Sequence, residues 1–364
     1  MLSFTKVAAL MSVALLSASA SYAFEASAPS ADEIELALKE FDANPARFMN
    51  SLPEKRDAEG RLVQSTESRF PLETIGSRDF VELRSATRDG LCNEAGVCVS
   101  TQNKAAAKAN DRAENLVDVG SGALRKLEDM EARGLKNARV TDVPWSDTYW
   151  PIYLGMTAQR YADGSNPGVE NWQTNYNHFV ANPLDQLLSR GNAAAIDNLS
   201  PAEKYALVIG DMSNTLARAS WAEGSRYYQG SGRVETWMGI CHGWAPAAFM
   251  MGRAARMIPV RTADGGWVNF YPSDIKAMAS LLWAKGQAPS RFVGGRCNDK
   301  APAQDANGRI VSEQCFDNNP ATWHMGVVNQ IGVSKRSFVM DATYDYEVWN
   351  QPVFSYAYSY FNPK

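Results

Sequence analysis

The stretch that most constrains the fold spans residues 237–251, where a glycine-bearing loop changes into a run of small and apolar residues. Ala245, Ala248 and Phe249 recur at helical spacing, so this pattern predicts a helix that buries at least one face. Cys241 lies where the helix is predicted to begin. A helix N-terminus favours the thiolate, and an unperturbed thiol with a pKa of roughly 8.5 is mostly protonated at neutral pH. The pattern therefore indicates a nucleophile, and a small core residue is the alternative.

The first residues have the features of a secretory signal. Lys6 precedes a short apolar run at 7–16, and small residues then lead to a predicted cleavage site after Ala23. The apolar run is too short to span a membrane. We therefore expect residues 1–23 to be removed and the protein to be secreted, with the periplasm as the alternative destination.

The charge of the chain bears on its partners. The formal net charge is −4 over 364 residues, and no basic stripe is present. This argues against nucleic acid and against anionic membranes as partners. The hydrophobic fraction of 45% is that of an ordinary globular protein.

Five cysteines are present, and export makes them interpretable as a disulfide framework. Cys92 and Cys98 flank a tight turn, whereas Cys297 and Cys315 bracket a polar loop. Pairing by proximity leaves Cys241 outside both disulfides, although other connectivities stay open from sequence alone. A cysteine left over in an exported protein indicates a reactive role.

The composition changes between residues 24–140 and residues 141–364. The first segment contains two predicted strands, at 80–83 and 97–99, and a charged, alanine-rich stretch at 104–138 that predicts a broken helix. It carries no recognisable chemistry. We predict an N-terminal extension or propeptide at 24–140, with a purely structural extension as the alternative, and a catalytic domain at 141–364.

Helical patterns come first in the chain and strand patterns come last. Helices are predicted from Ser30, at 183–190, at 200–219, from Cys241 and at 273–285. Strands are predicted at 322–330, 337–344 and 353–361. This order predicts an α+β fold with helices packed on an antiparallel sheet. Because the chain ends soon after the last strand pattern, we expect a C-terminally truncated domain.

Three histidines are available for a site. His242 adjoins Cys241 and would face a different direction on a helix, and His178 lies in a polar aromatic segment that suits a structural role. His324 lies in a predicted strand, where it is either a base or a satisfied core histidine. This comparison selects His324 as the candidate base.

Asp341 is the predicted partner of His324. A hairpin centred near Val333 would place Asp341 opposite or diagonal to His324, within reach of a carboxylate-to-imidazole hydrogen bond. Its apolar neighbours suggest burial, and a buried carboxylate needs a partner. The pattern predicts a triad of nucleophile Cys241, base His324 and orienting Asp341.

Three separated motifs resemble the transglutaminase elicitor family, which is known from secreted oomycete proteins and has bacterial relatives. The motifs are residues 237–247, 144–153 and 348–353. The last is similar to the core of a surface peptide that plants recognise, but Phe-Ser-Tyr at 354–356 replaces the expected Arg-Gly-Phe. The resemblance implies a papain-like cysteine transglutaminase fold, a Cys-His-Asp triad, secretion and calcium-dependent crosslinking.

The implied chemistry is acyl transfer between protein substrates that carry Gln and Lys. A thioester forms on Cys241, and a lysine amine converts it into an isopeptide bond. The backbone N–H of Cys241 and an indole from Trp221, Trp237 or Trp244 would hold the oxyanion. A papain-like hydrolase that uses water as acceptor and a non-catalytic surface recognition protein are the two alternatives.

Calcium is the cofactor that the resemblance implies. Asp305 and Asn307 partly fit a hand-shaped calcium loop, but the first and twelfth ligand positions would be Ala303 and Gln314. A plain surface loop closed by a disulfide is the alternative for this segment.

Overall fold

The protein is described from a computed structural model. The structure describes residues 31–50, 55–56, 62–64, 111–118, 122–286, 290–306, 310–315 and 318–360. Several predictions lie outside these residues: the signal sequence, the strands at 80–83 and 97–99, the Cys92–Cys98 pair and Asn307.

The contacts within the chain form two compact units, and each unit is built from two separated stretches. Unit 1 comprises the described residues of Met1–Arg78 and Asp142–Gly286. Unit 2 comprises the described residues of Asp79–Thr141 and Gln287–Lys364. Each unit is considered by itself below.

Helices dominate unit 1, and unit 2 contains fewer and shorter elements. In chain order the elements are α1 (Ala31–Ala43), α2 (Pro45–Met49), β1 (Lys55–Arg56), β2 (Leu62–Gln64), α3 (Leu127–Ala132), β3 (Asn137–Arg139), α4 (Trp172–Ala181), α5 (Leu184–Ser189), α6 (Ala193–Asp197), α7 (Pro201–Ile209), α8 (Thr215–Ser231), α9 (Cys241–Met250), β4 (Ile258–Arg261), β5 (Trp267–Phe270), α10 (Pro272–Lys285), α11 (Pro320–Val327), β6 (Phe338–Asp341), β7 (Asn350–Val353) and β8 (Ser355–Ala357). No helix within the described ranges is long and apolar enough to cross a bilayer.

The α+β class is confirmed, but the strands are distributed differently from the prediction. The strands of the described residues form four two-stranded antiparallel sheets, which pair β1 with β2, β3 with β8, β4 with β5 and β6 with β7. The hairpin β4–β5 packs Val260, Val268 and Phe270 against apolar side chains that include Leu207 of α7 and Ile275 of α10. Helices therefore cover a small hairpin in unit 1.

The start of α7 follows its sequence signal. Ser200 accepts a hydrogen bond from the Glu203 backbone, and the Glu203 carboxylate accepts one from the Ser200 backbone, which completes the predicted capping box. The predicted continuation to residue 219 is wrong. Gly210 adopts the left-handed conformation with φ 76° and ends the helix, and α8 begins five residues later at Thr215.

Aromatic side chains form the core of unit 1. Trp150, Tyr161, Trp172 and Trp221 belong to one buried cluster with Ile240, the residue before Cys241. Ring pairs within this cluster hold their centroids 6.1 to 6.5 Å apart in tilted or edge-on geometry, which is favourable for aromatic quadrupoles. The loop that leads to Cys241 is thus anchored in the core.

Two buried ion pairs link the helices of unit 1. Arg160 donates to both carboxylate oxygens of Glu203, and Lys204 donates to Asp274 at 2.5 Å. Tyr161 donates a further hydrogen bond to Asp274 at 2.9 Å. Buried charges persist only when they are paired and hydrogen-bonded, so the Lys204–Asp274 pair fixes how α7 packs against α10, and the Arg160–Glu203 pair holds the loop before α4 against α7.

The strand predicted at 322–330 is wrong, because this segment is helical. It forms most of α11 and continues into a π-helix at Val328–Val333. Asn319 caps α11 by accepting from the Ala321 backbone, and Pro320 occupies the first helical turn. An N-cap Asn followed by Pro is a helix-start signal that outweighs a short apolar run of ambiguous period.

The helix predicted at 104–138 is present only in part within the described residues. A 3-10 turn spans Ala113–Asn115, and the α-helical portion is α3. Leu124 and Met130 are buried beside Val328, and β3 pairs with β8 through three residues. These residues therefore belong to the core of unit 2. The final predicted strand is also shorter than expected, since β8 ends at Ala357.

Candidate active site

The candidate nucleophile lies in unit 1 at the position that the sequence predicted. Cys241 is the first residue of α9, and the backbone N–H groups of Gly243 and Trp244 both donate to the Ile240 carbonyl at 2.9 Å. The side chain is 4% exposed. The first N–H groups of a helix have no intrahelical acceptor and point toward its N-terminus, so this position favours a thiolate.

The disulfide pattern agrees with this assignment where it is described. Cys297 and Cys315 form the predicted disulfide. Among the cysteines of the described ranges, Cys241 is the one outside a disulfide. The predicted division between structural sulfurs and one thiol is therefore confirmed for these three residues.

Close packing against α10 holds the nucleophile helix in place. A side chain at Gly243 would collide with the Ser280 carbonyl and with Ala284. Ala245 and Ala248 are fully or almost fully buried on the same helix, as the sequence pattern predicted. Because small residues let two helices approach closely, Cys241 sits on a rigid helix pair.

His242 occupies the opposite environment from its neighbour. Its side chain is exposed, whereas that of Cys241 is buried. This confirms that adjacent residues at the helix start face different directions. His242 is therefore a useful control position for experiments on the other histidines.

The three indole candidates differ in whether their N–H is available. Trp237 donates to Glu235 at 2.8 Å. Trp221 lies in the aromatic core among Trp172 and its neighbours, and its Nε1 is buried without a hydrogen-bond partner. Trp244 also has a buried Nε1 without a partner, and it lies on α9 one turn after Cys241. Trp244 therefore has the available donor closest in sequence to the thiol.

His324 lies in unit 2 on α11 rather than on a strand. Its ring stands edge-on to Tyr358, with centroids 4.6 Å apart, and its Nε2 is buried without a hydrogen-bond partner. The Tyr358 hydroxyl is likewise buried without a partner. Desolvation lowers the pKa of His324 below its ordinary value of 6.5. The imidazole is therefore neutral at neutral pH, which is the form that a general base requires.

Asp341 closes the turn between β6 and β7 in the same unit. Its Oδ1 accepts from the Trp349 backbone at 2.9 Å and from the backbone and hydroxyl of Thr343 at 3.4 and 3.3 Å. The predicted hairpin partner is wrong, since Asp341 pairs with Asn350 of β7. The side chain is exposed rather than buried, and the hydrogen bonds described for it do not include one to His324.

Two opposing effects act on the Asp341 carboxyl. Desolvation raises its pKa, and the hydrogen bonds from Trp349 and Thr343 lower it by a smaller amount. The residue stays accessible to water, so screening reduces any effect of this shift on stability.

The calcium prediction concerns Asp305 and Asn307, of which the described residues include Asp305. Within the described residues, no group of three or more His, Cys, Asp or Glu side chains is placed to hold a metal ion. Asp305 lies in a loop narrowed by the bridge between Gln304 and Ile310, and Asn307 is outside the described residues. Calcium binding therefore stays a prediction that rests on the family resemblance.

Sequence reasoning missed two tyrosines next to the candidate residues. Tyr358 contacts His324, and Tyr149 contacts the loop before Cys241. The signals were present, because alternating tyrosines mark the last strand pattern and the 144–153 motif is rich in aromatic residues. Neither pattern predicts which side chain each aromatic ring contacts.

A thiol at the start of a helix, in an α+β fold, is an arrangement that cysteine-nucleophile enzymes use. Residues 123–362 match the Transglutaminase elicitor family, and the chain belongs to that family. The resemblance seen in the three motifs is thereby confirmed. The match begins at residue 123, within the segment predicted to be an extension.

The chain is similar to a solved structure of the GP42 transglutaminase from Phytophthora sojae. The two chains are 24% identical, and their superposition has a TM-score of 0.39. The match covers 65% of this chain and 58% of that chain, so this protein spans little more than half of the solved relative. No curated protein matches the sequence.

Proposed function

We propose that the protein is a secreted protein-glutamine γ-glutamyltransferase with a papain-like catalytic fold, which forms isopeptide crosslinks between Gln and Lys side chains. The observation that carries this proposal is the buried Cys241 thiol at the first residue of α9. Membership of the transglutaminase elicitor family supports the choice of reaction. The absence of a basic stripe in the sequence supports protein substrates over nucleic acid.

In the proposed first half-reaction, the Cys241 thiolate attacks the side-chain carboxamide of a protein glutamine. His324, which has taken the proton of the Cys241 thiol to form the attacking thiolate, gives that proton to the departing nitrogen as the C–N bond breaks, and ammonia leaves. A γ-glutamyl thioester remains on Cys241. The neutral imidazole is regenerated for the second half-reaction once it has passed a proton onward.

In the proposed second half-reaction, the ε-amine of a lysine attacks the thioester carbon. The C–S bond breaks, His324 accepts the amine proton, and the Cys241 thiolate is restored as the isopeptide bond forms. Water in place of the amine gives glutamate and constitutes deamidation. The outcome is therefore set by which acceptor reaches the thioester.

Two further catalytic roles are proposed, the stabilisation of the oxyanion and the orientation of His324. We assign Trp244 Nε1 and the Cys241 backbone N–H to the developing oxyanion, because the Trp244 donor has no protein acceptor. Asp341 is proposed as the residue that orients His324. Its present hydrogen bonds hold the β6–β7 turn, so an Asp341→Asn variant requires a folding measurement beside the activity measurement.

The test is incorporation of a dansylated primary amine into casein. Cys241→Ala and His324→Gln should abolish incorporation, whereas the adjacent control His242→Gln should retain it. Cys241→Ala should also lose modification by iodoacetamide, detected by mass spectrometry. Hydrolysis of glutamine amides without amine uptake would show that the protein is a hydrolase and not a transferase. Casein binding that survives Cys241→Ala, without any turnover, would favour a recognition protein.

Two further elements of the proposal rest on the resemblance and on composition. Calcium dependence is implied by the family, and chelation followed by calcium addition measures it. Residues 24–140 are proposed as an extension whose removal raises activity. Cleavage near residue 140 should therefore raise the rate of amine incorporation. Equal rates before and after cleavage would refute an inhibitory role.

A further inference from the structure

The aromatic segment at 144–152 lies along the nucleophile helix and its preceding loop. At the far end of α9, the Trp145 backbone donates to the Ala248 carbonyl at 3.2 Å, and its indole donates to the Met251 carbonyl at 3.0 Å. Lys276 donates to the Ser146 carbonyl at 3.0 Å and ties the same segment to α10. The segment therefore holds the C-terminal end of α9.

The same segment holds the loop at the N-terminal end of α9. The Ile152 backbone donates to the Met238 carbonyl at 2.9 Å. The Ile240 backbone donates to the Tyr149 carbonyl at 2.9 Å. Two backbone hydrogen bonds thus fix the loop on both sides of Gly239, immediately before Cys241.

Tyr149 contacts this loop in three ways. Its carbonyl accepts from Ile240, its ring and carbonyl fill the space where a Gly239 side chain would lie, and its hydroxyl donates to the Thr236 carbonyl at 2.5 Å. The residue is completely buried. Because the Tyr149 backbone holds Ile240 and its side chain holds Thr236, the position of Cys241 at the first residue of α9 is restricted.

The backbone next to Tyr149 is itself held in an unfavourable conformation. Trp150 has φ 51° and is fully buried. A left-handed conformation is uncommon for a bulky aromatic residue and persists where packing determines it. The segment therefore has little freedom to move away from the loop.

The Tyr149 hydroxyl stays protonated. Burial is the largest cause that raises the pKa of Tyr149 above its ordinary value, followed by the charge of Tyr153, a side-chain hydrogen bond with Tyr153, and the charges of Cys241 and Glu170. The group therefore remains a hydrogen-bond donor through the pH range in which a cysteine thiol titrates.

We propose that Tyr149 is a positioning residue for Cys241. It clamps the Thr236–Ile240 loop through its carbonyl, ring and hydroxyl, and thereby keeps the sulfur at the first position of α9, where the helix favours the thiolate. The expected effect of Tyr149 on crosslinking rests on the proposed function. Its expected effect on the ionisation of the Cys241 thiol does not.

The experiment compares Tyr149→Phe with Tyr161→Phe. Both substitutions delete a buried hydroxyl in unit 1, but the Tyr161 hydroxyl donates to Asp274, in the ion pair between α7 and α10. The rate of Cys241 alkylation by iodoacetamide is measured by mass spectrometry from pH 5 to 10, beside melting temperature and amine incorporation.

In Tyr149→Phe the alkylation profile should move to higher pH, and the rate at neutral pH should fall about fivefold, the equivalent of one hydrogen bond of about 1 kcal/mol. Tyr161→Phe should lower the melting temperature and leave the profile in place. An unchanged profile in Tyr149→Phe, or an equal shift in both variants, would overturn the proposal. Alkylation without amine incorporation in the wild type would refute the proposed function and leave this comparison valid.

Hydrogen exchange on the wild type provides a measurement that does not depend on variant folding. The Ile240 amide, bonded to the Tyr149 carbonyl, should exchange as slowly as amides in the middle of α9. Exchange as rapid as in an exposed turn would show that the loop is not clamped, and would overturn the proposal.

Discussion

Replacement of Gly239 by alanine measures how firmly Tyr149 holds the loop before Cys241. A Cβ atom at this position would lie 2.5 Å from Tyr149 Cδ2 and 2.6 Å from the Tyr149 carbonyl oxygen. Both distances are far below van der Waals contact. The ring is fully buried and its hydroxyl is bonded to Thr236, so it cannot move aside without breaking that hydrogen bond.

The expected loss of stability in Gly239→Ala follows from the steric collision and from the lost hydrogen bond. Overpacking of a buried site costs about 1–3 kcal/mol, and loss of the Tyr149–Thr236 hydrogen bond adds about 1 kcal/mol. At about 2–4 °C per kcal/mol for a domain of this size, the melting temperature should fall by roughly 5–15 °C. The rate of Cys241 alkylation at pH 7 should decrease as well, because the loop that precedes the thiol is displaced.

Gly230→Ala is the matched control. Gly230 lies inside α8, and a Cβ there would meet nothing within 4 Å. Gly230 is the penultimate residue of α8, where alanine stabilises the helix over glycine by at most about 0.5–1 kcal/mol, so this variant should melt at the same temperature or slightly higher. Scanning calorimetry and alkylation kinetics measure both variants. A Gly239→Ala protein that melts and alkylates like Gly230→Ala would refute the clamped loop.

Three further predictions concern charge, the disulfide and pH. Lys204→Met leaves Asp274 buried without its cation and should cost about 3–5 kcal/mol in urea unfolding, and an unchanged midpoint would contradict the buried pair. The double variant Cys297→Ser/Cys315→Ser opens a loop with a sequence separation of 18 and should lose about 3 kcal/mol, whereas equal melting curves would show that the disulfide contributes nothing. Because the pKa of His324 is lowered in the folded state, the unfolded state binds more protons, and stability should fall as pH drops below about 6.5. His324→Gln should weaken that acid dependence in thermal melts, and an identical dependence in both proteins would argue against the lowered pKa.

Local chemistry explains which predictions were confirmed. The Ser200 capping box, the helix start at Cys241 and the Cys297–Cys315 disulfide each depend on residues close in sequence. Side-chain caps and short loop closures join residues that lie a few to about twenty positions apart. The local sequence therefore largely determines their free energies.

The errors arose where a short apolar run has no intrinsic period. Residues 322–330 suit a buried strand or a buried helix equally well, and Asn319 with Pro320 decided for the helix. That change removed the hairpin that would have paired Asp341 with His324. The pairing of β6 with β7 then determined the partners of Asp341.

The amino-acid sequence by itself determined the family and the helix that begins at Cys241, and it favoured the Cys297–Cys315 pairing that leaves this thiol outside the disulfide. Only the tertiary structure decided that Tyr149 surrounds the loop before the thiol, that Tyr358 faces His324 and that Asp341 closes a turn. The physical reason is the distance along the chain between the residues that interact. Caps and turns are set by neighbours along the chain, whereas the contacts of an aromatic ring or a carboxylate depend on which distant segments the packing of the core brings together.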